Sequence, residues 1–233
     1  MRITASIAFA SALALAATQA DAGVLYSQPG SSAACAGYCW TSSYGAATNS
    51  GFATFDDFTL SGAANVTSVS WNGFIWDPTG GGAGMQPGAF WYVYFFSDAG
   101  GVPGTNIYQE VVTPTATLLG SDTFSGDPVD VYNFTATLPT DFAAAGNTKY
   151  WFVPLLVQLN LTPLFSWSPS TMTADDESIQ EPIPAGGYNV QPGDRAFWLF
   201  GNAVPEPFTL SLFGAGLAGA AVMRRRRKSK AAA

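Results

Sequence analysis

The 233-residue chain has a formal net charge of −7, two cysteines and no histidine; 48 % of it is hydrophobic and 14 % aromatic, against only 11 % charged. That apolar content can bury a core, which excludes a disordered chain. The missing histidine excludes a nucleophile driven by an imidazole base and any imidazole-ligated metal.

From the N-terminus, Arg2 precedes an uncharged run from Ile3 to Ala17, and Ala20-Asp21-Ala22 places small residues at the two positions a signal peptidase reads. Residues 1–22 are predicted to be a signal peptide. It would pass the chain to the general secretion machinery and signal peptidase, with the mature protein starting at Gly23; cleavage after Ala20 is the alternative. The exported body, residues 23–203, is one domain's worth of chain. Its only cations are Lys149 and Arg195 against 14 acidic residues, a formal charge of −12. Such a surface repels nucleic acid and anionic lipid, so neither is expected as a partner.

Cys35 and Cys39 are the only cysteines, spaced Cys-Ala-Gly-Tyr-Cys. In an exported chain they are predicted to form a disulfide closing a short loop. A redox pair would be expected to show the two-residue spacing, and a zinc site would need further soft ligands.

Strand-like runs follow. Residues 26–50 read as an N-terminal strand and a Gly/Ser-rich loop, then Phe52–Leu60 and Val66–Trp76 flank the turn-forming Ser61-Gly62-Ala63-Ala64-Asn65. The run Phe90-Trp91-Tyr92-Val93-Tyr94-Phe95-Phe96 is apolar on both faces, the pattern of a central strand buried on both sides. Ile107–Leu119 reads as one further strand. Tyr132, Phe134, Ala136 and Leu138 alternate with polar residues, as in a half-buried strand. Pro154 interrupts Tyr150–Leu159 and predicts a bulge or an edge position. Phe165-Ser166-Trp167 and Ala196–Phe200 close the set, with Ser168–Asp194 between them read as a long surface loop. About eight strands with long connections predict an all-β, jelly-roll-like β-sandwich.

Several groups are candidates for chemistry. Asp56 and Asp57 adjoin on one strand, so their side chains point to opposite faces and cannot act as a pair. Glycoside hydrolysis needs two carboxyls about 5–10 Å apart, which would have to come from across loops, with Glu110, Asp175, Asp176, Glu177 and Glu181 among the candidates. Asp175-Asp176-Glu177, or Asp127 with Asp130, offer oxygen ligands of the kind calcium takes. No twelve-residue calcium loop is present, so no metal site or cofactor is assigned, and solvated acidic loops are the plainer reading. Trp40, beside Cys39, and Trp76, before Asp77-Pro78-Thr79-Gly80, are the tryptophans expected to be exposed. They are the candidate contacts for a polysaccharide.

The C-terminus is tripartite: Val204-Pro205-Glu206-Pro207, an uncharged apolar stretch Phe208–Met223, and Arg224-Arg225-Arg226-Arg227-Lys228-Ser229-Lys230. The prolines keep the backbone around Glu206 extended and partly stripped of N–H donors. The apolar stretch is somewhat shorter than the roughly 20 residues of a free-standing membrane helix. The basic block resists translocation and sets orientation.

These residues resemble the PEP-CTERM sorting signal of exported bacterial proteins, with all three parts in order over residues 204–230. The resemblance implies that an exosortase, a membrane-embedded transpeptidase-like enzyme, recognises Pro205–Pro207 and removes the tail. On this reading the protein is a non-enzymatic exosortase substrate of a Gram-negative bacterium. A single C-terminal hydrophobic helix would hold it briefly in the inner membrane before release to the cell envelope, the cell surface or an extracellular polysaccharide matrix. A simple tail anchor is the competing reading. Asp56-Asp57-Phe58, Val66–Trp71 and Phe95–Asp98 with Gly101-Val102-Pro103-Gly104 look similar to a recurrent exported β-domain found upstream of this signal; that resemblance implies a β-sandwich and adds no site.

Overall fold

Alternation of apolar and polar side chains writes strands along almost the whole body, and the computed structural model contains fourteen among its described residues, 22–30, 35, 39–79, 84–172, 177–204 and 216. They are β1 (Gly23–Gln28), β2 (Trp40–Thr41), β3 (Ser43–Gly45), β4 (Ser50–Thr59), β5 (Ala64–Trp76), β6 (Phe90–Asp98), β7 (Pro103–Val112), β8 (Thr115–Phe124), β9 (Asp127–Ala144), β10 (Lys149–Gln158), β11 (Leu164–Trp167), β12 (Glu177–Ile183), β13 (Asn189–Pro192) and β14 (Phe197–Ala203). The signal peptide and the apolar C-terminal stretch lie outside the described residues, apart from Ala22 and Gly216.

Two seven-stranded sheets pack face to face as a jelly-roll-like β-sandwich. The first runs β1-β14-β5-β11-β2, with β9 on the other edge of β5 and β8 beyond β9. The second runs β13-β12-β4-β3-β10-β6-β7. Residues 41–43 stitch the sheets together, because β2 belongs to the first and β3 to the second. Between them, Ser42 N donates to Phe165 O at 3.0 Å while Ser42 O accepts from Leu156 N at 3.1 Å.

The space between the sheets is filled by rings. Trp71, Trp91, Phe95, Phe134, Phe152, Phe165, Trp167 and Phe197 are all buried. Phe95 stacks on Phe142 with centroids 4.2 Å apart, and the edge of Trp91 meets Phe165 at 4.7 Å. Each such side chain contributes about 1.5–3 kcal/mol by leaving water. The indole N–H groups of Trp71 and Trp91 find no acceptor among the described residues. Each omission costs about 1–3 kcal/mol, which the surrounding apolar burial offsets.

Four expectations are corrected. Ile107–Leu119 is two strands in different sheets, because Pro114 breaks the ladder between β7 and β8. Ser168–Asp194 contains β12 and β13; β13 is an edge strand held by its backbone, so its side chains need not be apolar. Pro154 lies inside β10, which pairs with β6 on one side without a register shift and with β4 and then β3 on the other. Leu156 donates toward β3, so the N–H missing at position 154 falls on the same side, in the gap where the partner changes from β4 to β3. Finally, β6 is second from the edge. Trp91, Val93 and Phe95 enter the core, while Phe90, Tyr92, Tyr94 and Phe96 stand half-exposed on the outer face.

Candidate functional site

The body's last strand leads directly to the predicted sorting motif. Apolar Phe197 and Leu199 anchor β14 in the core, and the strand pairs with β5 on one side and β1 on the other. Val204 then donates its N–H to Ala63 O at 2.8 Å, with its side chain 44 % exposed. Pro205, Glu206, Pro207 and Arg224–Arg227 lie outside the described residues.

Cys35 and Cys39 form a disulfide, their Cα atoms 5.3 Å apart. They pack with Trp76 and Phe124 over the buried Phe74, Val129 and Val131 on the outer face of the first sheet.

Trp40 and Trp76 are both half-buried rather than fully exposed, and sit at opposite ends of β11, one facing Trp167 and the other Leu164. The Trp40 indole donates to Pro192 O at 3.5 Å; the Trp76 indole donates to Asp127 Oδ2 at 3.4 Å, and its ring meets Phe124 edge-on at 4.9 Å. They form no common platform.

The acidic residues are dispersed. Asp56 is fully buried, where Oδ1 accepts from Asp57 N at 2.8 Å and Oδ2 from Arg195 N. Burial pushes its carboxyl well above the usual value; the Arg195 backbone bond opposes this and nearby Asp194 reinforces it. Asp57, on the opposite face, pairs with Lys149 at 2.9 Å. Asp130 accepts from Ser121 Oγ at 2.6 Å. Asp98 is pushed up by desolvation, but the Trp151 indole and the Gly101 and Gly100 amides outweigh this and hold it below its usual value. Asp175 and Asp176 lie outside the described residues. Among the described residues, no three or more of Cys, Asp and Glu gather as metal ligands.

A groove that sequence reading did not assign lies on the outer face of the second sheet. Ala53 and Phe55 of β4 and Val153 and Leu155 of β10 form its floor. Tyr94 and Phe96 rise from β6, joined by Asn106 and Gln109 of β7, with Glu181 and Ile183 of β12 opposite, around a hollow of about 280 Å³. Burial raises the Tyr94 phenol to about 12, with Tyr92 adding to the shift, and pushes the Glu181 carboxyl upward. The usable signal was the alternation in β6: hydroxyl-bearing Tyr92 and Tyr94 fall on one face, and Trp91, Val93 and Phe95 on the other.

Residues 203–227 match the PEP-CTERM protein-sorting motif. No curated protein and no solved structure matches the chain.

Proposed function

We propose, starting from the chain's standing as a PEP-CTERM exosortase substrate sorted to the cell envelope or surface, that it is a non-enzymatic surface protein. Residues 1–22 direct secretion and are removed by signal peptidase. The body, residues 23–203, emerges while the apolar helix within 204–230 holds it in the inner membrane, with Arg224, Arg225, Arg226 and Arg227 retained on the cytoplasmic side. Exosortase recognises Glu206 between Pro205 and Pro207, with Val204 leading in, and frees the body for the cell surface or extracellular polysaccharide matrix of a Gram-negative bacterium.

The observation carrying this reading is that the matched motif, residues 203–227, begins at Ala203, the final residue of β14. Pro205 has no N–H with which to extend a ladder past Val204. On this reading the enzyme meets the motif beyond the last bonded residue of the sheet and does not have to open the body.

Replacing Pro205-Glu206-Pro207 with three alanines tests it. Export should persist, while intact-mass analysis should find the tail retained on every molecule. Tail removal at the wild-type extent would overturn the recognition role.

A further inference from the structure

The half-exposed face of β6 is a row of rings along one strand. Phe90 and Tyr92 have centroids 5.3 Å apart, Tyr92 and Tyr94 5.2 Å, and Tyr94 and Phe96 5.9 Å. Register places Gln109 beside Tyr94, Asn106 beside Phe96 and the exposed Val111 beside Tyr92. Across the hollow, Glu181 stands beside Ala53 on β12, and the ring of Tyr188 meets Phe55 edge-on at 5.9 Å.

We infer that this groove binds a neutral polysaccharide, its sugar rings lying along Tyr92, Tyr94 and Phe96 and its hydroxyls meeting Asn106, Gln109 and Glu181. A pyranose is amphipathic in the way this lining is: its C–H faces suit aromatic rings, and its rim of hydroxyls needs both donors and acceptors. An amide supplies both, and a carboxylate accepts. A protein partner would call for a more continuous apolar patch at its centre, whereas here phenols, amides and a carboxylate interleave with the rings.

Shape and charge narrow the ligand. The rings continue along the strand, so the site suits a linear polymer better than a compact molecule. The hollow of about 280 Å³ sits near the lower end, roughly 300 Å³, of small-ligand pockets, as a platform touching a few units of a longer chain would. Among the described residues no cation lines it, and Glu181 with the body's −12 charge repels uronate or sulfate groups. The Tyr94 phenol, raised to about 12, stays protonated and able to donate outside the cell.

The inference goes beyond sorting and is read independently of it. The full-length chain, purified in mild detergent, is run through native gels containing hydroxyethyl cellulose, galactomannan or dextran, with polygalacturonate as the polyanionic comparison. At least one neutral polymer should retard it and polygalacturonate should not. Tyr94→Ala should weaken retardation about tenfold, Gln109→Ala should weaken it measurably, and Trp40→Ala and Trp76→Ala should leave it unchanged. Gln109 is exposed, so that variant decides the matter even if loss of the Tyr94 ring disturbs folding. Absence of retardation by all three neutral polymers, full retardation of both groove variants, or retardation by polygalacturonate alone would each overturn the inference. So would a concentration-dependent dimer abolished by Gln109→Ala without any polymer binding, which would make this face a contact between copies. Tail removal, followed by mass, is expected to proceed normally in all these variants.

Discussion

Val204 N donates to Ala63 O at 2.8 Å, so the amide just before Pro205 is tied to the residue that immediately precedes β5. Among the described residues this is the last backbone hydrogen bond the body makes before the motif. A stop codon after Val204 should leave the melting temperature of the body within about 2 °C of that of the mature chain, since surface changes outside the packed elements cost at most about 0.5 kcal/mol. A stop after Ala196 removes β14, and with it Phe197 and Leu199 from the core and the partner of β1; that chain should fail to give a cooperative transition by circular dichroism.

Asp56 gives the body a pH dependence of unusual sign. Its folded pKa is raised above 3.8 by burial, so the native state holds the proton more tightly than the unfolded chain. The stabilisation this supplies is complete below pH 3.8 and is lost as pH rises through the folded value. Asp98 acts oppositely: its lowered value stabilises above 3.8 and fades as pH falls. Denaturant titrations of Asp56→Asn should therefore show a flatter decline toward neutral pH. The same variant should be less stable in acid by about 1–3 kcal/mol. One carboxyl oxygen becomes an amide facing Arg195 N and Gln28, whose own amide, oriented to suit its neighbours, donates to Asp56 Oδ2 at 3.0 Å. An unchanged pH profile would show that Asp56 titrates normally in the fold.

What could be read from the chain depended on how local each determinant is. The alternation around Phe134 reports burial mainly on one face and the strand-like run of β5 reports a long central strand, which side-chain order alone encodes, so an all-β sandwich was legible. Pro154 misled because its tolerance depends on which strand lies beside it: pairing with β4 stops and pairing with β3 starts on the side where its N–H is missing, a fact of topology with no trace in the sequence around it. The β12–β13 hairpin was hidden for a related reason, since strands at a sheet edge need backbone partners more than apolar side chains. Trp40 and Trp76 stood out by residue type, yet each indole is engaged locally. The groove is assembled from β4, β6, β7, β10 and β12, and only folding brings those strands together. The tail motif was readable because it is linear: its recognition rests on the order of residues along the chain, over 203–227.

The Cys35–Cys39 disulfide should matter modestly. The bridge joins residues only four apart, so it removes little freedom from the unfolded chain: the loop-entropy relation gives about 2 kcal/mol at 25 °C. Its position limits the effect further. The cysteines cap a small satellite cluster on the outer face of the first sheet, with Trp76 and Phe124 beside them, while the main core of Trp71, Trp91 and Phe152 lies on the sheet's other side. Cys39→Ser should therefore shift the urea midpoint without changing the slope, because the surface exposed on unfolding is nearly the same. Tryptophan emission should change only by the contributions of Trp40, next to Cys39 in the chain, and Trp76, packed in the same cluster. Complete loss of cooperative unfolding in Cys39→Ser would mean that the loop organises the first sheet itself, and would contradict the placement of its packing outside the main core.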